Sequence, residues 1–133
     1  MGSGSEVQLA VAAAKELEAD GIATRVVSMP SMDWFLQQNR SYIDEIIPRD
    51  VLARVSVEAG VAMPWFRFTG DQGRNVSLEH FGASAPGAEL FERFGFTTDA
   101  VVAAASESLD SVRTGTADSA ADPQRGPVRG DGV

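Results

Sequence analysis

The feature that most restricts the fold of this sequence is an alternation between helical patterns and short apolar segments of strand length. Apolar residues recur at helical spacing from Val7 to Leu17, and Gly21 follows where a helix would end. The next segment, residues 22–29, is mostly apolar, as in parallel strands that are buried on both faces. Because this succession is repeated further along the chain, the sequence predicts an α/β fold with a mainly parallel sheet.

The other predicted elements are a helical segment around residues 34–36, a short helix near 41–47, strands over 51–57 and 76–81, a short buried helix over 61–69, and helices around 85–94 and 98–109. Ser84 is the predicted N-cap of the helix around 85–94, with Pro86 in its first turn. Gly95 is expected to end that helix in the left-handed conformation. Thr97 or Thr98 then caps the last helix.

The composition limits the partners that the chain can bind. A length of 133 residues suits one domain, and a net charge of −8 argues against nucleic acid or an anionic membrane. The absence of cysteine excludes disulfides and thiolate metal sites. No apolar run has the length of a membrane span, and the first five residues do not resemble a signal peptide. A cytoplasmic location is therefore expected.

The sequence divides into three parts. We expect residues 1–4 to form a flexible head and residues 5–109 to form the folded domain. Residues 110–133 contain no aromatic side chain and cannot bury enough apolar surface to offset their ordering entropy, so they are predicted to be disordered. Arg129, Gly130 and Asp131 spell a cell-adhesion tripeptide there, which is expected by chance in a segment of this composition.

Residues 81–97 contain the pattern FGxSAPxxxLFxxFGFT, at positions 81–86, 90, 91 and 94–97. Three further motifs precede it in order, GSE at 4–6, RVVSMPS at 25–31 and ARVSVEAG at 53–60. On these motifs the sequence resembles the C-terminal domain of transketolases, over roughly residues 4–109. Related domains occur in the β subunits of 2-oxoacid dehydrogenases and in deoxyxylulose-phosphate synthases, but the FGxSAP and FGFT motifs favour transketolase.

The resemblance implies a three-layer α/β/α domain with a five-stranded mixed sheet, whose first strand is antiparallel to the others. It also implies membership of a family of homodimeric enzymes that use thiamine diphosphate and magnesium to move a two-carbon ketol unit between sugar phosphates in the pentose phosphate pathway. In that family the first two domains hold cofactor, metal and substrate. Since none of their motifs is present here, we assign no catalytic, cofactor-binding or metal-binding residue to this chain, and we expect it to be inactive alone.

The sequence departs from the family pattern at its beginning. In transketolases an apolar strand directly precedes the GSE turn, and an edge strand precedes that one; here residues 1–3 stand in their place. By analogy, the strand before the turn lies in the middle of the sheet, between residues 22–29 and 51–57. An unpaired buried backbone group costs about 1–3 kcal/mol, and a whole domain is stable by only about 5–15 kcal/mol. The chain alone is therefore predicted to be unstable.

Three explanations of this departure stay open: a fragment of a larger enzyme, a start site assigned too late, or a chain that takes strands from a partner. The first leads to the C-terminal domain of a transketolase, and the third to a separately encoded assembly subunit of a split enzyme. A small-ligand-binding regulatory module is a further alternative, using helix N-termini at the strand ends.

Few residues suggest chemistry. The turn over residues 2–6 lacks the spacing of a phosphate-binding loop, and Glu6 would repel an anion, so a capping role is favoured. His80, the single histidine, lacks a predicted partner for acid–base catalysis. Glu58 ends a predicted strand, where α/β folds place functional groups, but hydrogen bonding to the next turn explains it equally well. Core and interdomain packing is predicted for five aromatic residues, Trp34, Phe35, Trp65, Phe66 and Phe68.

Overall fold

A computed structural model describes residues 1–118 of the chain. Its helices are α1 (Val7–Ala19), α2 (Met32–Leu36), α3 (Arg40–Ile46), α4 (Phe66–Thr69), α5 (Gly87–Arg93) and α6 (Thr98–Asp118), with 3-10 turns at Gly4–Glu6 and Met63–Trp65. Its strands are β1 (Val55–Val57) and β2 (Arg74–Val76). No helix in this part of the chain combines the length and the apolar character needed to cross a membrane.

The sheet is parallel and has a fragment of an additional strand in its middle. β1 pairs with β2 in the register Val55 to Arg74. On the other side of β1, Gly2 forms parallel bridges both to Val57 and to Ser28. The order across the sheet is therefore residues 22–29, residues 1–3, β1 and β2.

Two apolar clusters cover the two faces of this sheet and give the molecule three layers. On one face, α1 and α6 pack against each other and against the strands, with a buried cluster of Ala10, Ala13, Val57, Phe96 and Val101. On the other face the short helices α2, α3 and α4 surround a second cluster, Met29, Phe35, Trp65 and Phe68. This α/β/α arrangement confirms the predicted fold class.

The predicted strands are longer than the observed ones. Residues 22–29 contain a single bridge, at Ser28, and the strand predicted over 51–57 is regular only in β1. The strand predicted over 76–81 is found at β2, two residues earlier. A strand is assigned only where its backbone pairs with a neighbouring strand. The neighbour that lies between residues 22–29 and residues 51–57 consists of residues 1–3, so it pairs only with the ends of those two segments.

Both predicted domain boundaries also need correction within the described residues. Residues 1–3 are not a flexible head, because Met1 and Gly2 are hydrogen-bonded to the two adjoining strand segments. At the other end, α6 continues to Asp118, so residues 110–118 are helical where disorder was predicted. The rest of the predicted tail, including the tripeptide at Arg129, lies outside the described residues.

The predicted helix ends are mostly confirmed. Gly95 follows α5 with a φ of 78°, the left-handed conformation that favours glycine. Thr97 accepts a hydrogen bond on its hydroxyl from the N–H of Ala100 at 3.2 Å and so caps α6. The prediction for Ser84 is wrong, because α5 begins at Gly87, directly after the extended Pro86, and has no side-chain cap.

Candidate interaction site

The most unusual site in the molecule is the middle of the sheet, where residues 1–3 join two strand segments. The α-amine of Met1 donates to the carbonyl of Val55 at 2.8 Å, and the Met1 carbonyl accepts from the N–H of Val57 at 2.9 Å. On the opposite side, the N–H of Gly2 donates to Val27 at 3.1 Å, and the Gly2 carbonyl accepts from Met29 at 2.8 Å. Two residues therefore hold both halves of the sheet together.

Beyond Met1, the two segments separate around an apolar cavity of about 220 Å³, which we call the central cleft. Residues 22–27 form one wall, and residues 51–55 form the other. Side chains from α1 and α6 close one face, and the end of α3 closes the opposite face. Members of this lining include Ala13, Ala14, Leu17, Ala105, Ile46 and Ile47.

The walls of the central cleft carry backbone groups that are not used in sheet pairing. Ala23, Arg25 and Ala53 make no backbone–backbone hydrogen bond in the described part of the chain. The side chain of Arg25 instead donates to the carbonyls of Glu45 and Ile46 at the end of α3. Such a pair of facing, unpaired strand edges is a template for a further strand.

The amine of Met1, at the end of the cleft, lies in an environment that disfavours its charged form. Burial lowers the pKa of this group from the ordinary 8.0 to about 6, because a charged ammonium loses its hydration there. Its hydrogen bond to the Val55 carbonyl needs only one N–H donor. The group is therefore better suited to be a neutral amine than a cation.

The turn that follows residues 1–3 uses its carboxylates to cap backbone and hydroxyl groups. Glu6 is buried, and its carboxylate accepts hydrogen bonds from the N–H of Ala59 at 3.0 Å and from the hydroxyl of Ser5 at 2.8 Å. Glu58 accepts from the hydroxyl of Ser3 at 2.8 Å. These contacts occupy the carboxylates of two acidic side chains near the strand ends with backbone and hydroxyl donors.

His80 lies on the surface and is not brought to an acidic partner. Its Nδ1 is 2.8 Å from the carbonyl oxygen of Phe81, and its ring contacts the ring of Phe94 edge-on at 5.1 Å. The neighbouring carboxylate of Glu79 accepts from the N–H of Ala62 at 2.8 Å. This hydrogen bond, with a second from a serine hydroxyl, lowers the pKa of Glu79.

The five predicted aromatic residues separate into two groups. Phe35, Trp65 and Phe68 are buried in the second apolar cluster, with ring centroids about 6 Å apart for the contacting pairs. Trp34 is 74% exposed and Phe66 is 57% exposed. The predicted core role therefore holds for three of the five, and the other two are available for contact with another protein surface.

Sequence reasoning missed a polar network that connects α6 to the sheet. The hydroxyl of Ser108, which is completely buried, accepts from the N–H of Arg54 at 3.0 Å and donates to the carbonyl of Gln72 at 2.7 Å. The guanidinium of Arg54 donates to the carbonyls of Pro48 and Phe68. The available signal in the sequence was Arg54, a charged residue within an apolar predicted strand, which needs hydrogen-bond partners there. Among the described residues, no group of three acidic or histidine side chains could hold a metal ion.

Comparison with known proteins gives a consistent family match. A family model described as the transketolase-like C-terminal domain matches residues 1–97. The transketolase of Mycobacterium leprae is 54% identical over 109 residues, and transketolase 1 of Escherichia coli is 52% identical over 107 residues. These alignments cover 82% and 80% of this chain, but the chain spans only 16% of the length of either relative.

Solved structures agree with this match. A transketolase from Leishmania mexicana superposes with a TM-score of 0.73 at 39% identity, covering 82% of this chain and 16% of that protein. A transketolase from Campylobacter jejuni gives a TM-score of 0.66 at 35% identity, covering 76% of this chain and 15% of that protein.

Proposed function

Because the chain belongs to the transketolase C-terminal domain family, we propose that it acts as the C-terminal assembly domain of a transketolase. The observation that carries this proposal is the match of residues 1–97 to that single domain, with 16% of the length of the relatives covered. The domain contributes to assembly and makes no contact with the reacting atoms.

The activity of the assembled enzyme is thiamine-diphosphate- and magnesium-dependent transfer of a ketol unit between sugar phosphates. Cofactor, metal and substrate are held by the other transketolase domains, which are the partners of this chain, in a homodimeric enzyme in the cytoplasm. Exposed apolar side chains suit such a docking role, since burying them against another protein surface is energetically favourable. Trp34, Met63 and Phe66 are each more than half exposed.

Reconstitution tests this proposal. Escherichia coli transketolase 1 is shortened by its C-terminal domain, and the 133-residue chain is added with thiamine diphosphate and magnesium. We expect co-elution in size-exclusion chromatography, a higher melting temperature of the shortened enzyme, and no ketol transfer by the chain alone. Trp34→Ala is expected to weaken association, with Gln38→Ala as a matched control at an exposed position near the end of α2. Ketol transfer by the chain alone, or no association with the shortened enzyme, would contradict the proposal.

A regulatory role is the second candidate, and one observation favours it. A shallow cavity of about 320 Å³ lies beside the ends of the strands, lined by Ser3, Met29, Glu58 and Trp65 among others. In α/β folds, ligands bind beyond the carboxyl ends of the strands. A rise in melting temperature with sugar phosphates or nucleotides, abolished by Glu58→Leu, would support regulation; no shift with any of them would exclude these ligand classes.

A further inference from the structure

The segment between β2 and α5 carries a family motif that the fold does not use. The FGxSAP motif occupies residues 81–86, which we call the motif loop. Phe81 is 97% exposed, and the other five residues are exposed as well. The backbone N–H groups of residues 81–85 donate to no other backbone group in the described part of the chain. Neither core packing nor helix capping accounts for the motif loop, whereas contact with another protein surface would.

Gly82 is a second residue of the motif loop whose type the fold does not explain. Its φ is not positive, and a Cβ at this position would meet no atom within 4 Å. Neither the backbone conformation nor close packing inside this chain therefore requires glycine here. The close approach of another protein's backbone would require it, because a side chain would then occupy the space between the two surfaces.

The residues just before the motif loop are held to the segment that follows β1. Leu78 donates its N–H to the carbonyl of Gly60 at 2.9 Å. One oxygen of the Glu79 carboxylate accepts from the N–H of Ala62 at 2.8 Å and from the hydroxyl of Ser77 at 2.7 Å. The motif loop therefore starts from a point that is fixed before any partner binds. A preorganised contact segment loses less conformational entropy on association.

The segment after β1 presents apolar side chains beside this fixed point. Val61 and Met63, on either side of Ala62, are both exposed. Residues 59–66 and 80–86 contain no aspartate, glutamate, lysine or arginine, although the chain as a whole has a net charge of −8. The two segments that follow the strands therefore form an apolar surface without charged side chains, which is typical of the centre of a protein–protein interface.

We propose that the motif loop docks against the other domains of a transketolase, with Phe81 as the side chain that the partner buries and Glu79 as the residue that positions the loop. The choice of partner rests on the proposed function. The matched domain makes up only 16% of the transketolases of Mycobacterium leprae and Escherichia coli, so the other domains are present in the same molecule there. A large aromatic side chain at the centre of an interface typically contributes much of the binding free energy.

Variants of the motif loop test this assignment. The Kd of the full 133-residue chain is measured with Escherichia coli transketolase 1 that lacks its C-terminal domain. We expect Phe81→Ala and Gly82→Ala each to raise Kd at least tenfold. The matched control is Val11→Ala, which shortens an exposed apolar side chain on α1 and should leave Kd unchanged within about twofold. None of the three variants should change the melting temperature by more than about 4 °C.

The positioning role of Glu79 is tested by two further variants. Glu79→Ala removes the acceptor for Ala62 and Ser77, whereas Glu79→Gln keeps an oxygen that can accept both hydrogen bonds. We expect Glu79→Ala to raise Kd at least fivefold and to speed amide exchange at Ala62 at least threefold. Glu79→Gln should restore both quantities to within about twofold. Weak association of both variants, or unchanged exchange at Ala62 in Glu79→Ala, would overturn the positioning role.

Three results would refute the assignment of the motif loop, and they differ in what they say of the proposed function. If the unmodified chain associates and Phe81→Ala associates equally well, the loop is not the docking element, and the proposed function stands. If the unmodified chain does not associate, the proposed function fails and the choice of partner fails with it. If the chain alone forms a dimer that Phe81→Ala dissociates, the partner of the loop is a second copy of this chain.

Discussion

Acetylation of the Met1 amine is expected to remove a pH-dependent loss of stability that the fold imposes on this group. Burial lowers the pKa of the amine from 8.0 to about 6. One pKa unit corresponds to about 1.4 kcal/mol of difference between the protonation states. The two-unit difference therefore corresponds to about 2.7 kcal/mol, a large part of the stability of a small domain.

The direction of the effect follows from proton binding. Between pH 6 and pH 8, the unfolded chain binds a proton at its amine and the folded chain does not, so the free energy of unfolding rises with pH. The stability that the folded chain gains by having a deprotonated amine is complete above pH 8 and is lost as the pH falls through 6. An acetylated amine does not titrate, so the acetylated chain lacks this dependence on pH.

The assay is denaturant unfolding at several pH values between 5.5 and 9, on the unmodified and the acetylated chain. Mass spectrometry establishes that Met1 is retained in both. We expect the difference in the free energy of unfolding between the two forms to shrink by about 2–3 kcal/mol from the lowest to the highest pH. Other titrating groups are present in both forms and cancel in that difference.

Two results would refute the reasoning. If both forms change with pH by the same amount, the Met1 amine is not desolvated in the folded chain, and the bonded geometry at Val55 is incorrect. If the unmodified chain instead loses stability as the pH rises above 8 while the acetylated chain does not, the amine is stabilised as a cation. That outcome would require a carboxylate partner close to it.

Three substitutions test the packing around the sheet. Gly73→Ala should cost at least about 2 kcal/mol in urea unfolding, because its Cβ would lie 2.5 Å from a backbone oxygen of α4; an unchanged midpoint would contradict this close approach. Ser108→Ala should cost about 1–3 kcal/mol by leaving buried backbone groups unpaired, whereas the exposed control Ser106→Ala should cost less than about 0.5 kcal/mol. Trp65→Ala should lower the free energy of unfolding by about 3–5 kcal/mol. Trp34→Ala should leave the free energy of unfolding nearly unchanged and weaken association with a shortened transketolase. Equal losses of stability in the two variants would refute the assignment of Trp65 to the core and of Trp34 to the surface.

The sequence predicted those features of the fold that are specified locally. The helical spacing of apolar residues from Val7 to Leu17 matches α1, and the glycine that ends α5 was identified from its residue type. Thr97, which caps α6, was one of the two threonines predicted for that role. Each of these signals depends on contacts within a few residues, so no knowledge of the distant chain was needed. The family motifs then supplied the arrangement of layers, which periodicity alone could not give.

The errors concern features that depend on distant parts of the chain. The length of a strand depends on how many residues of a neighbouring strand can form hydrogen bonds with it. For residues 22–29, the central neighbour consists of only three residues, 1–3. The continuation of α6 beyond Leu109 is explained by contacts that composition does not show. Ser111 donates its hydroxyl to Gln72, and a Cβ on Gly115 would lie 3.0 Å from that same side chain. Such contacts connect the helix to the turn before β2.

The middle of the sheet limits the stability of this chain. Met1 and Gly2 make four hydrogen bonds to the strand segments on either side, each worth about 0.5–1.5 kcal/mol. In the described part of the chain, Ala23, Arg25 and Ala53 make no backbone–backbone hydrogen bond that would add to these four. Because a whole domain is stable by only about 5–15 kcal/mol, we expect the isolated 133-residue chain to have low stability.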